Sequence, residues 1–235
     1  MRTSEGWVAE IRLEHQGKTS AKIAISGQDG VRVIPEPGQY LLAWKPADNE
    51  APIAVPLFLA EKCATGFWTA SPIPGNWEPG DVLQMRGPLG QGFTFPPKGR
   101  IHRLAIAALG GTIARLLPLA IQAIENNLAV TLFTTSSFPS LPAEMEISPL
   151  SDLPDALDWA DFLALDLTAD QLPDLRKTMG LHPGIRLPCP GQALILTGMP
   201  CGGLADCGAC AVRGIRKWLL ACQEGPVFDL NELEW

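Results

Sequence analysis

The sequence predicts a β-rich first half, an α/β second half and a cysteine-rich C-terminal segment. Three observations predict this organisation. Short, half-alternating runs separated by Gly, Pro and Asn turns occupy the first hundred residues, which suggests a small β-barrel or sandwich. From Arg103 onward, strand-like and helix-like apolar runs alternate, the pattern of an α/β unit with a mainly parallel sheet. Four of the six cysteines then fall within the last 35 residues.

In the first half the strand candidates are Trp7–Glu14, Ala21–Ser26, Tyr40–Trp44, Gly66–Ser71 and Val82–Arg86. Pro96-Pro97-Lys98-Gly99 closes that half, so the boundary is placed near residue 99. In the second half, the segment from Arg103 to Gly111 reads as a buried strand and a Gly-Gly turn. Thr112–Asn127 reads as an apolar helix, and Val130–Thr134 as the next strand. Asp161–Leu167 is a further strand, Thr168-x-x-Gln171 a capping box opening a helix toward Met179, and Ala193–Met199 another apolar strand.

With 235 residues, 46% hydrophobic and 18% charged, the chain is long enough for one large or two modest globular cores. No apolar run reaches the roughly 18 residues of a membrane span, and the first residues carry no apolar signal-peptide segment. A cytoplasmic protein without membrane association is expected. The net charge of −7 sets nucleic-acid binding aside. Nine acidic residues and no basic one lie between Glu144 and Asp174, which reads as a solvated face in preference to a docking surface.

Cys201, Cys207, Cys210 and Cys222 have the spacing C-x5-C-x2-C-x11-C. Four thiolates so close in sequence point to a metal or cluster site. A [2Fe–2S] cluster matches the plant-type C-x4-C-x2-C run with one extra residue, expected to bulge at Leu204–Asp206. Gly202, Gly203 and Gly208 favour it, because they let backbone N–H groups approach bridging sulfides. Structural zinc is a second reading, although only one Cys-x-x-Cys knuckle is present. Disulfides are a third, disfavoured by the expected compartment. Cys63 and Cys189 read as small core residues.

The tail MPCGGLADCGACAVR…LLACQEGPVF, with Pro37-Gly38-Gln39-Tyr40 and GPLGQGF at 87–93, resembles the electron-transfer subunit of dihydroorotate dehydrogenase, a ferredoxin-reductase-like family. The resemblance runs the whole chain in order. It implies an FAD-binding-like antiparallel β-barrel at 1–99, an NAD-binding-like α/β domain at 100–199 and a [2Fe–2S] segment at 200–235. It also implies that Cys201, Cys207, Cys210 and Cys222 are cluster ligands and that electrons pass between FAD and a flavoprotein catalytic partner. Gly87, Pro88, Leu89, Gly90, Gly110 and Gly111 would be its flavin and nucleotide contacts.

Several positions depart from that pattern. The family's Arg-Pro-x-Ser flavin element matches Val55-Pro56-Leu57-Phe58, which has neither the charge nor the hydroxyl, and GFWTASPIPG lacks the family's Tyr-Arg pair. In the Gly-rich turn, Ala114 stands where close approach to a phosphate requires no Cβ. Arg115 is a candidate phosphate ligand, weighed against a turn that serves packing alone. Leu196-Thr197-Gly198-Met199 replaces the nicotinamide-side Cys-Gly-Pro. FAD is therefore expected only with weakened contacts, and pyridine nucleotide is not expected.

His15, His102 and His182 have no catalytic spacing and read as surface residues; hydrolytic motifs are absent. Trp68 and Trp77 suit barrel positions. Trp218, between the third and fourth clustered cysteines, either shields the cluster from water, faces a partner with Arg213, Arg216 and Lys217, or packs on the sheet. Two rivals to an electron relay stay open: a scaffold subunit with a redox-silent metal knot, and a complete flavin reductase with divergent contacts.

Overall fold

The computed structural model describes residues 3–14, 18–25, 34–46, 54–70, 72–96, 99–110, 112–135, 141–182 and 185–235. His15, Ser26, Ser71, Pro97, Lys98 and Gly111, named above, lie outside the described residues.

Six strands build the first half: β1 (Thr3–Leu13), β2 (Thr19–Ile25), β3 (Tyr40–Trp44), β4 (Val55–Cys63), β5 (Gly66–Thr69) and β6 (Val82–Leu89). They close into an antiparallel barrel in the order β1-β2-β5-β4-β3-β6, sealed by β1 pairing with β6 from Thr3↔Arg86 to Trp7↔Val82. A sandwich is thereby excluded. Closure leaves no open edge. The interior is filled by Val8, Ile23, Leu41, Leu57, Leu59, Phe67, Leu83 and Met85, with Trp77 also in this core. Because strand side chains alternate faces, Tyr40, Leu42, Phe58 and Ala60 point the other way and join the core shared with the second half. Trp68 belongs to that outer side as well, with the Arg12 guanidinium 4.2 Å from its ring.

Strand β4 escapes the sequence pattern for this reason. Its Leu57, Phe58, Leu59 and Ala60 are all buried, alternately in the barrel and in the shared core, so the polar half of the period-two signal is missing.

The second half is a six-stranded sheet of β7 (Arg103–Ala108), β8 (Ala129–Thr134), β9 (Met145–Pro149), β10 (Phe162–Thr168), β11 (Gly191–Leu196) and β14 (Val227–Asp229). Their order is β14-β11-β10-β7-β8-β9, parallel except for β14, which runs antiparallel to β11. The order reverses between β7 and β10, so the crevice beyond their C-terminal ends is the topological switch point. Asp161 fixes the entry to β10: its carboxylate accepts from the His102 and Arg103 backbone N–H groups and pairs with the Arg103 guanidinium at 2.8 Å.

Helix α1 (Leu117–Glu125) starts five residues later than the sequence predicts. Pro118 has no N–H to donate and fits only the first turn of a helix, so Thr112–Leu116 stays a turn. The capping box at Thr168 forms, with the Thr168 N–H donating to Gln171 Oε1 at 2.9 Å. The segment it opens is a 3₁₀ turn (Ala169–Asp174) with Pro173 inside, leading into one α turn, α3 (Leu175–Thr178). A single α turn, α2 (Leu153–Ala156), precedes β10. Among the described residues no helix is long and apolar enough to cross a membrane.

Candidate metal centre

The four cysteines are gathered by two local devices. The first is the hairpin of β12 (Ala211–Arg213) and β13 (Trp218–Leu220), paired from Ala211↔Leu220 to Arg213↔Trp218. Cys210 and Cys222 lie at its open end, where the Ala221 N–H donates to the Cys210 carbonyl at 3.0 Å and the two sulfurs stand 3.3 Å apart. The eleven-residue gap between them is thus the length of this hairpin and its following turn. Glu224 fastens the hairpin by accepting the Leu220 N–H at 2.9 Å and pairing with Lys217.

The second device is the loop from Cys201 to Cys207. Gly202, Gly203 and Gly208 have φ of 63°, 72° and 68°, and Ala205, a residue with a Cβ, has φ of 65°. Left-handed steps curl the loop around the Cys201 sulfur, toward which the N–H groups of Leu204, Asp206 and Cys207 are directed. Ala205 directs its N–H to the Cys222 sulfur, and Ala209 donates to Cys207 Sγ at 3.4 Å. Ala205, within the Leu204–Asp206 stretch where a bulge is expected, is one of these left-handed steps.

The result is two sulfur pairs, Cys201 with Cys207 and Cys210 with Cys222. The Cys207 side is exposed, whereas Cys210 and Cys222 are buried. Contact with Cys207 and the backbone donors hold the Cys201 thiol down to about 6. Burial, then contact with Cys210, pushes Cys222 up to about 11. Among the described residues, no three Cys, His, Asp or Glu side chains are arranged to hold one metal ion. Two thiolate pairs with converging N–H donors fit a diiron cluster, with two ligands per iron, better than one tetrahedral zinc.

The barrel closes one side of the site. Arg86 on β6 donates from Nη2 to the Gly202 carbonyl. A Cβ on Gly203 would stand 3.1 Å from Leu42 Cδ1, 3.4 Å from Arg86 Nη2 and 3.7 Å from the Tyr40 hydroxyl. Tyr40 and Arg86 are thus neighbours of the cysteine loop that motif reading missed. The lone tyrosine of the chain was visible in the sequence; its position against the loop was not, because the contact spans more than 160 residues.

The other candidate contacts among the described residues are closely packed. Gly90 has φ of 78°, and a Cβ there would lie 2.5 Å from Pro226 Cδ and 2.9 Å from Tyr40 Cε1. Gln91 adds a bond from its N–H to the Gly225 carbonyl at 2.6 Å, so the Gly87-Pro88-Leu89-Gly90 end of β6 is docked on the C-terminal segment. Gly87 is tight against Leu41 and the Tyr40 carbonyl. In the stretch matched to the flavin element, Leu57 fills the barrel and Phe58 packs on Tyr40 with ring centroids 5.7 Å apart. That stretch offers neither a cation nor a hydroxyl and does not fit an FAD pyrophosphate or ring edge held in the family manner.

At the switch point, Arg115 is turned inward. Its Nε and Nη2 donate to the two Asp166 carboxylate oxygens at 2.8 and 3.2 Å, and both side chains are buried. Leu109 and Gly110 give their N–H groups to the Asp166 carbonyl at 2.8 Å each. The phosphate-ligand expectation for Arg115 is therefore corrected: its fork faces a carboxylate. A Cβ on Gly110 would meet Asp166 Oδ1 at 2.9 Å, so this glycine makes room for the ion pair.

Elsewhere His102 and His182 are exposed, and Cys189 is a buried thiol that burial pushes up to about 11. Within the acidic run, Asp166 and Asp161 have the structural partners described above, while Glu144, Glu146, Asp152, Asp155, Asp158, Asp170 and Asp174 are exposed.

Residues 198–234 match the model of the iron-sulfur cluster binding domain of dihydroorotate dehydrogenase B. A dihydroorotate dehydrogenase B (NAD(+)) electron transfer subunit from Desulforamulus reducens is 31% identical over 190 residues, covering 67% of this chain and 68% of the relative. A probable electron transfer subunit of the same enzyme from Thermoplasma acidophilum is 26% identical, covering 84% of this chain and 80% of the relative. Among solved structures, an NADH-dependent reduced ferredoxin-NADP oxidoreductase superposes with a TM-score of 0.71 at 18% identity, covering 98% of this chain and 90% of the other. The ferredoxin reductase of carbazole 1,9a-dioxygenase gives 0.55 at 19% identity, covering 77% and 65%. These two show a shared ferredoxin-reductase-like fold.

Proposed function

Since the chain belongs to the family of dihydroorotate dehydrogenase B electron transfer subunits, we propose that Cys201, Cys207, Cys210 and Cys222 hold a [2Fe–2S] cluster in a cytoplasmic complex with a flavoprotein partner. The observation that carries this reading is the pairing of the four sulfurs beneath converging backbone N–H groups. When bound, such a cluster supplies reversible one-electron chemistry, which makes the chain a relay. In this reading residues 1–99, 100–199 and 200–235 are the flavin-binding-like barrel, the nucleotide-binding-like domain and the cluster segment.

The chain's own residues do three things. The left-handed loop and the hairpin preset the ligand pairs, so little reorganisation accompanies a change of charge. The backbone donors stabilise negative charge on the sulfurs. The barrel wall at Leu42 and Tyr40 covers the site on one side, while Cys207 leaves an edge in solvent. FAD and pyridine nucleotide would be held here only with weakened contacts, because the flavin stretch lacks its charge and the Leu109 and Gly110 N–H groups are engaged by the Asp166 carbonyl.

Anaerobic purification with iron, sulfide, zinc and flavin analysis on one sample tests the assignment. Equimolar iron and sulfide with a bleachable visible spectrum is expected. Zinc without sulfide would leave only a scaffold role, and stoichiometric flavin would restore the full reductase.

In this reading the partner surface is placed on the cysteine loop and its hairpin. Leu204, Ile215 and Trp218 are 59%, 63% and 64% exposed, on the cysteine loop and on the hairpin that carries Cys210 and Cys222. Large apolar side chains in solvent beside a redox site mark a docking surface. The Trp218 side chain, at the start of β13, is thus turned to solvent and not packed on the six-stranded sheet. The double change Ile215→Asp and Trp218→Ala is expected to weaken association with the catalytic subunit by at least about tenfold, read by titration calorimetry, with the cluster spectrum unchanged. Unaltered affinity would move the docking surface elsewhere.

A further inference from the structure

Tyr40 has 0% exposure, yet its hydroxyl oxygen has no hydrogen-bond partner within the chain. A buried phenol without a partner has given up its hydrogen bonds to water for nothing, so such groups are rare unless something outside the polypeptide satisfies them. Arg86 shows the same feature: Nη2 donates to Gly202, while its buried Nε is unpartnered. Both orphaned donors stand on adjacent barrel strands, β3 and β6, which pair with each other through Leu42↔Arg86. Both lie against the same point, Gly203, inside the Cys201–Cys207 loop. Cys222, Cys210 and Cys201 are near enough for their charge to act on the Tyr40 phenol.

Packing explains the ring but not the hydroxyl. The Tyr40 ring meets Phe58 and closes on Gly90, contacts that a phenylalanine would make equally well. Gly203 leaves the path from the hydroxyl into the loop clear, since a side chain there would stand 3.7 Å from the oxygen.

Resting on the cluster assignment above, we infer that the Tyr40 hydroxyl is a hydrogen-bond donor to a sulfur of the bound cluster, with Arg86 Nε as a second donor from the same wall, and that the pair raises the cluster's reduction potential. Reduction adds negative charge to the sulfurs. A donor facing them therefore binds the reduced state more tightly than the oxidised one, and removing it shifts the balance toward oxidation. Tyr40 is a positioning and tuning residue, not one that exchanges electrons.

The test uses the full chain, with iron and sulfide content and a midpoint potential from optical redox titration measured on each sample. Tyr40→Phe is expected to load equally and to shift the oxidised-to-reduced ratio about tenfold toward oxidised at fixed potential, about 59 mV for one electron. Because Tyr40 is the only tyrosine, growth on 3-fluorotyrosine changes this one hydroxyl into a more acidic donor. That sample is expected to shift in the opposite direction, a pattern that a purely steric role would not produce. Equal loading with an unchanged potential in both samples would overturn the inference. If Tyr40→Phe fails to fold, the fluorinated chain decides alone, and an unchanged potential there overturns it equally. Failure of the unaltered chain to take up iron and sulfide would instead sink the cluster assignment, a distinct result.

Discussion

Arg115→Met should destabilise the protein by about 3–5 kcal/mol at neutral pH, among the largest effects expected of any single substitution. The reason lies in Asp166, which is 0% exposed in the middle of the central strand β10 and faces the Arg115 fork. Burial pushes the Asp166 carboxyl above its ordinary value, and the neighbouring guanidinium opposes that rise. Without Arg115 the upward push acts nearly alone. A carboxyl whose folded value lies above its unfolded one favours folding most when protonated, so its contribution declines as pH rises past the unfolded value near 4. The deficit of Arg115→Met relative to the unaltered chain should therefore be larger at pH 8 than at pH 5. Thermal unfolding at both pH values measures it. The double change Arg115→Met with Asp166→Leu should recover most of the loss, because an apolar pair of similar volume needs no counter-charge. A single variant as stable as the parent at pH 8 would show that the ion pair is not closed off as described.

The same pair says why the switch point of the α/β half faces inward. In a phosphate-binding turn the backbone N–H groups and the start of the helix point at the ligand. Here Leu109 and Gly110 donate to the Asp166 carbonyl, Arg115 donates to its carboxylate, and α1 begins only at Leu117 because of Pro118. Added NADH should therefore leave the unfolding temperature of the unaltered chain unchanged.

Much of this was legible in the sequence, and the exceptions share a cause. Strands β3, β7 and β8 follow from apolar runs bounded by turn residues. Strand β4 was missed because both its faces are buried in different cores, and β9 because it is an edge strand with only Met145 buried. The four cysteines were visible from spacing alone, since hairpin and loop are local. Arg115 was visible as a cation beside a Gly-Gly turn, but its partner is 51 residues away, and only the parallel register Asp166↔Ala108 brings the two together. Tyr40 and Arg86 belong to the same class: their partners are set by how the barrel meets the tail, which no local pattern encodes.

Cys222→Ala should abolish cluster assembly, whereas Cys63→Ala and Cys189→Ala should retain full iron and sulfide. Cys63 and Cys189 sit outside the site, the latter as a buried core thiol. Within the site, serine substitutions should separate the two sulfur pairs. Cys207 is exposed on a loop whose fold rests on left-handed glycines, so a serine oxygen there can reach an iron by small loop adjustments and partial loading should persist. Cys222 is buried and held opposite Cys210 by the hairpin, and Ala205 already directs its N–H to that sulfur. A shorter, harder oxygen at position 222 cannot be approached without unzipping β12 from β13, so Cys222→Ser should behave like Cys222→Ala. Iron and sulfide stoichiometry together with the visible spectrum checks all five variants. Equal loading in Cys207→Ser and Cys222→Ser would show that the hairpin does not preset its pair, because rigidity at one pair and pliancy at the other is what makes the two substitutions unequal.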